Sequence, residues 1–200
     1  GSMGVAASIS VTPIPMEFRG ARWFHLPTAP PTQLMQWIDE LQGLNIHPSH
    51  VSIDTFETYA RRDPEATKAV MQRVGLVFLN GEEYAVMVKY FGEEFFRQFP
   101  HVLKLGKRGA VYMDKTKYPE IHIEMPAIKV GVKDTTGAGE VLAGVFDAAR
   151  VAGLSIGTSL RLAVDTASRS VTKPGVEHIR EGISHCMRTQ VKNGSVTKKL

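Results

Sequence analysis

Hydrophobic and polar positions along this chain alternate between short apolar runs and stretches with a helical period. His50 to Ile53, Leu76 to Leu79 and His101 to Leu105 are brief runs bounded by turn residues; the second is wholly apolar, as strands buried on both faces are. Between them apolar residues recur three and four apart. Leu34, Trp37, Ile38 and Leu41 do so after Pro30-Pro31, Pro64 opens a second such stretch reaching about Arg73, and Tyr84, Met87 and Val88 follow Asn80, which predicts an N-cap. Ala21 to Leu26 predicts a first short strand, and residues 5 to 18, β-prone but broken by Pro13 and Pro15, predict an edge strand or an extended arm. Ala110 to Met113 and Ile121 to Glu124 flank a lysine-rich turn and predict a hairpin. Three helices are predicted to finish the chain, roughly 138–152, 156–171 and 176–191, and Phe91, Phe95, Phe96 and Phe99 are spaced as a helix packing face. No repeat or low-complexity linker interrupts the pattern, so the expectation is α/β: one domain over 21–191 with a mostly parallel sheet between helical layers, an N-terminal arm over 1–20 and a basic, flexible tail over 192–200.

Composition narrows the class without naming a function. Two hundred residues, 43% hydrophobic and 22% charged, suffice for one domain with a sizeable core. The net charge of +4 is modest, and Lys192, Lys198 and Lys199 carry part of it in the tail, so neither a nucleic-acid nor a membrane partner is expected. No apolar run approaches membrane-spanning length. The lone Cys186 excludes an internal disulfide framework and points to a reducing, cytoplasmic setting. Gly1-Ser2 ahead of Met3 has the look of a cleaved expression tag. His178, His185 and Cys186 lack short metal-ligand spacing and are expected to be ordinary core or surface residues, and Arg61-Arg62 a solvated pair.

The stretch that carries chemistry is Asp134-Thr135-Thr136-Gly137-Ala138-Gly139-Glu140. It opens a helical pattern in which Leu142, Val145, Phe146 and Ala149 recur, which places glycines at a helix N-terminus. The first helical amides have no intrahelical acceptor and the helix dipole favours negative charge there, so a phosphate is the natural guest. A ligand-free glycine turn remains the plain alternative. A dinucleotide fingerprint fits poorly because the third glycine comes too late, and a P-loop is excluded because no Gly-Lys-Ser or Gly-Lys-Thr occurs.

Four segments in order resemble one family: Val77-Phe78-Leu79-Asn80-Gly81-Glu82-Glu83, Leu103-Lys104-Leu105-Gly106-Lys107-Arg108-Gly109-Ala110, the glycine stretch, and Ser170-Val171-Thr172-Lys173-Pro174-Gly175. Together, over about residues 20 to 180, they resemble the C-terminal two-thirds of a PfkB-type carbohydrate kinase with a ribokinase-like fold. The resemblance implies transfer of the γ-phosphate of ATP to a hydroxyl of a sugar or nucleoside. It implies that Asn80 and Glu83, matching Asn-x-x-Glu, help place Mg²⁺ and the phosphates. Lys104 and Gly106 would border the nucleotide, where the family more often has Thr or Ser than Lys. Asp134 and Thr135 belong to the nucleotide turn. Gly137, Ala138 and Gly139 would form the anion hole, and Lys173 and Gly175 would lie in a loop beside the adenine and near a monovalent cation.

Two departures from the family pattern follow. The family's base is Asp, whereas this chain has Glu140, which keeps the basicity but moves the carboxylate by about a bond length; a misplacement of about 1 Å can cost on the order of 100-fold in rate. Upstream of residue 20 nothing resembles the family's N-terminal region and lid strands, which hold most sugar contacts. Either a missing N-terminal segment or a second copy in a homodimer is then expected to cover one edge of the sheet. The alternative to a working kinase is a catalytically impaired relative that binds nucleotide or serves as a scaffold.

Overall fold

The computed structural model describes residues 14–15, 18, 20–55 and 57–175. The expected helix over 176–191, the tail, and His178, His185 and Cys186 fall outside the described residues, as does most of the N-terminal arm.

Six strands form one mixed, mostly parallel sheet whose spatial order follows the chain: β1 (Phe24–Leu26), β2 (Val51–Asp54), β3 (Leu76–Asn80), β4 (His101–Lys104), β5 (Ala110–Asp114) and β6 (Ile121–Met125). β1, β2 and β3 are parallel, in register Phe24 with Val51, Leu26 with Ile53, and Ile53 with Val77. Their connections run through α1 (Pro31–Gly43) and then α2 (Glu57–Arg62) and α3 (Pro64–Arg73), while α4 (Gly81–Phe91) leads to β4. The turns from β4 to β5 and from β5 to β6 are too short for a crossover, so those strands run as an antiparallel meander. α5 (Ala138–Val151) and α6 (Ile156–Ser170) complete the described elements.

Local sequence explains the boundaries. Pro31 occupies the first turn of α1, and Asp63 caps α3 by accepting the Ala66 N–H at 3.0 Å, with Pro64 following it. α4 opens on a complete capping box: Asn80 Oδ1 accepts the Glu83 N–H at 2.8 Å and Glu83 Oε2 accepts the Asn80 N–H at 2.7 Å. β1 starts at Phe24 rather than at Ala21 because its partner strand starts at Val51, opposite Phe24. α2, absent from the pattern of apolar residues, is one short stretch with Ala60 as its buried residue.

The phenylalanine run is a correction. It is not one helix face: Gly92, at φ +79°, ends α4 after Phe91, and Phe95 and Phe96 lie in a separate 3₁₀ turn over Glu93–Arg97. Phe95, Phe96 and Phe99 are nonetheless buried, and with Tyr84 and His101 they build an aromatic cluster of edge and stacked contacts.

The chain divides into two compact units, Gly1–Leu103 with Met113–His122 and Lys104–Tyr112 with Ile123–Leu200. In the first, α1 packs on α3, and α2 and α3 on α4, over a core that includes Ile38, Ile53, Met71 and Leu79. In the second, α5 and α6 pack against each other as a helical hairpin; Gly153, at φ +85°, turns the chain and Ser155 caps α6 through the Thr158 N–H at 3.1 Å. Phe146 of α5 stacks on Tyr112, with ring centroids 5.9 Å apart.

Candidate functional site

The second unit holds a cavity of about 640 Å³, within the range of small-molecule sites. Three segments and one helix face build it.

The first segment is the glycine turn before α5. Gly137 is the N-cap in left-handed conformation, φ +77°, and no side chain caps the helix. Ala138 N–H reaches back to the Thr135 carbonyl at 3.3 Å, and the first helical bond runs from Val141 N–H to the Gly137 carbonyl at 2.9 Å. Asp134 shapes the turn by accepting the Thr136 N–H at 2.9 Å. That backbone bond, and then the Thr136 hydroxyl, hold the Asp134 carboxyl below its ordinary range. The N–H groups of Lys133 and Asp134 both donate to the Val171 carbonyl, at 2.7 and 3.2 Å, which fastens the turn to the end of α6.

The second segment is the loop from β4 to β5. Leu105 N–H donates to the Gly109 carbonyl at 2.8 Å and Gly109 N–H to the Gly106 carbonyl at 2.9 Å, closing a tight turn with Gly106 at φ +57° and Gly109 at φ +98°. A Cβ on Gly109 would stand 1.9 Å from the Met125 carbonyl oxygen, so only glycine lets the loop sit there. The loop follows Lys104, the last residue of β4, whose side chain lies over Gly139: a Cβ built on Gly139 would meet Lys104 Nζ at 3.3 Å.

The third segment, after β6, contributes Ile128, Lys129, Val130 and Val132. Leu142 of α5 and the Val164, Ala167 and Val171 side of the α6 region complete an apolar floor. The cavity lining therefore combines the backbone amides of the glycine turn and three lysines with branched aliphatic side chains, a combination suited to an anion attached to an apolar ring.

Five of the residues singled out from sequence line this cavity together: Lys104, Gly106, Thr135, Ala138 and Gly139. Gly137 and Asp134 shape its turn, and Glu140 is exposed in the first turn of α5. Lys173 and Gly175 are exposed after α6 and do not line it. Asn80 and Glu83 belong to the first unit, where the Glu83 carboxylate, 8% exposed, also accepts the Thr55 hydroxyl at 3.3 Å. Among the described residues no group of three or more His, Cys, Asp or Glu is placed to hold a metal ion, and no helix is long and apolar enough to cross a membrane. Lys129, Val164, Ala167 and Ser168 line the cavity without any mark in the sequence. The only linear trace of the third segment is the alternation of apolar residues at Ile128, Val130 and Val132.

Residues 61–181 match the family described as pfkB family carbohydrate kinase. The chain is 29% identical over 190 residues to a cytidine kinase of Thermococcus kodakarensis, covering 86% of this chain and 63% of that one. Among solved structures it superposes on the nucleoside kinase of Methanocaldococcus jannaschii with a TM-score of 0.69 at 22% identity, covering 84% of this chain and 56% of that one. A ribokinase II of E. coli in complex with ATP and Mg²⁺ gives a TM-score of 0.64 at 18% identity, covering 84% and 59%. The chain thus spans less than two-thirds of the length of these relatives.

Proposed function

Since the chain belongs to the pfkB family of carbohydrate kinases, we propose that its second unit is the nucleotide site of an ATP-dependent kinase acting on a hydroxyl of a sugar or nucleoside in the cytoplasm. The observation that carries the reading is the cavity itself, whose lining combines the uncapped start of α5 and Lys104 with aliphatic side chains. Those residues fit a nucleotide: the N–H groups of Gly139 and Glu140 and the lysines meet phosphate oxygens, and the floor takes the base. The nearby names, cytidine kinase, nucleoside kinase and ribokinase, support a nucleoside or sugar acceptor.

Bound ATP with Mg²⁺ supplies the phosphoryl group and part of the charge neutralisation. The chain's own part is to hold and orient. The turn of Gly137, Ala138 and Gly139, with the Ala138 N–H already given to the Thr135 carbonyl, presents the preorganised Gly139 and Glu140 amides where charge develops during transfer, which needs no reorganisation at that moment. Glu140, exposed beside them, takes the proton from the acceptor hydroxyl. The resemblance would also have Asn80 and Glu83 help place Mg²⁺; here Asn80 Oδ1 and Glu83 Oε2 are engaged by the α4 capping box and the Thr55 hydroxyl within the first unit, and no step is routed through them. Lys173 and Gly175 follow Val171 of the cavity wall without lining it, so in this reading their loop would flank the adenine from outside, where a monovalent cation would be held.

Glu140 decides between this reading and an impaired nucleotide binder, because glutamate stands at the base position. Glu140→Gln should cut phosphoryl transfer by about 10²- to 10⁴-fold while nucleotide affinity stays within about threefold. Acceptor-dependent formation of ADP and phosphorylated product over a panel of sugars and nucleosides, followed beside nucleotide binding, measures both. Equal and negligible transfer by the parent, Glu140→Gln and Glu140→Asp forms, with binding intact, would leave only the nucleotide-binding role.

A further inference from the structure

Among the described residues lining the cavity there are three lysines, Lys104, Lys107 and Lys129, and no carboxylate. They come from two separate segments, the end of β4 with the loop after it and the stretch after β6, so the charge is gathered by the fold rather than by one basic run. Of the three, Lys104 has a defined position against the glycine turn: its Nζ, Cδ and Cε would lie 3.3, 3.6 and 3.7 Å from a Cβ on Gly139. The ammonium is therefore held beside the backbone N–H groups that open α5, so one phosphate group could meet both kinds of donor.

We propose that Lys104 is the residue that reads the number of phosphates, fixing the phosphates beyond the first and replacing part of the charge neutralisation otherwise left to Mg²⁺. The proposal rests on the nucleotide reading of this cavity and adds to it a donor preference for di- and triphosphates that persists without divalent metal. A lysine ammonium is a point charge with three donors, so one strong contact to phosphate is what its removal deletes. The apolar floor is untouched by the change, so a phosphate that does not reach the glycine turn keeps its contacts.

The test is calorimetric titration of the full chain with ATP, ADP and AMP, each in MgCl₂ and in EDTA, for the parent, Lys104→Met, Lys104→Gln and Lys104→Arg. The parent should bind ADP and ATP more tightly than AMP even in EDTA. Lys104→Met should weaken ADP and ATP binding by about 10- to 100-fold, most visibly in EDTA, and change AMP affinity by less than about threefold. Lys104→Arg should recover most of the loss, which a purely packing role would not permit, and Lys104→Gln carries the measurement if the Met form fails to fold. A loss equal for AMP, ADP and ATP, or no loss at all, overturns the assignment to Lys104 while leaving the nucleotide site standing. A parent that binds none of the three under either condition overturns both.

Discussion

Replacing Gly139 by alanine should separate stability from binding, because the two respond to different atoms. Gly139 is the second residue of α5, and unlike Gly137 it does not have positive φ, so an alanine there keeps the backbone it already has. Helix propensity alone favours Ala over Gly by up to about 1 kcal/mol, partly by restricting the unfolded chain. Against that stands one tight contact, 3.3 Å from the new methyl to Lys104 Nζ, with Cδ and Cε at ordinary distance. The atom that must give is the far end of a flexible side chain, so a shift of a few tenths of an ångström costs a fraction of that gain. The net expectation is a stabilisation of about 0.5 kcal/mol, or a rise of about 1 to 2 °C in Tm for a chain of this length. Nucleotide binding should move the other way. The methyl stands where phosphate would approach the Gly139 N–H and displaces the ammonium beside it, so a loss of about 10- to 100-fold in affinity is expected. Thermal scans without ligand, and again over a series of MgADP concentrations, read both effects, since ligand that binds only the folded state raises Tm with concentration. Parent-like affinity in the alanine form would refute the placement of phosphate at Gly139, and a Tm lowered by more than about 3 °C would refute the reasoning about Lys104 yielding.

Three further outcomes are expected. Gly109→Ala should be far worse than Gly106→Ala, because at Gly109 the new Cβ meets a backbone carbonyl at 1.9 Å whereas Gly106 has open space; about 1 kcal/mol at Gly106 and more than about 3 kcal/mol at Gly109 are expected from denaturant midpoints. Asn80→Ala removes the side-chain half of the α4 capping box and should cost about 1 to 2 kcal/mol, recovered in large part by Asn80→Asp and read by urea unfolding. His101 is 1% exposed within the aromatic cluster, and burial, outweighing the Phe99 carbonyl, holds its pKa below the ordinary 6.5. The folded state therefore keeps His101 neutral while the unfolded chain protonates it, so stability should fall as pH drops below about 6.5. His101→Phe should flatten that slope; an unchanged slope between pH 7 and 5 would assign it to other groups.

Short-range physics made much of this protein readable from its sequence. Pro64 and Arg73 bound α3 as expected, Asn80 caps α4, and α5 begins at Ala138 directly after Gly137, because caps, prolines and helical periods act over three or four residues. The apolar run Leu76 to Leu79 became a buried strand for the same reason, since its burial is written in every residue. The spacing of the phenylalanines predicts one helix because it carries no sign that Gly92 turns the backbone to positive φ between Phe91 and Phe95. The cavity needed the tertiary structure. Lys129 and Ile128 have the linear appearance of an ordinary solvated lysine and a strand-end isoleucine, and nothing local ties them to Gly139. Nor does sequence tell that the Lys104 side chain comes to rest on that glycine, or that Glu83 turns its carboxylate to Asn80 and Thr55. A turn is set by the residues that make it, whereas a cavity is set by contacts between segments far apart in the chain, and the pairing of those segments is decided by the packing of the unit as a whole.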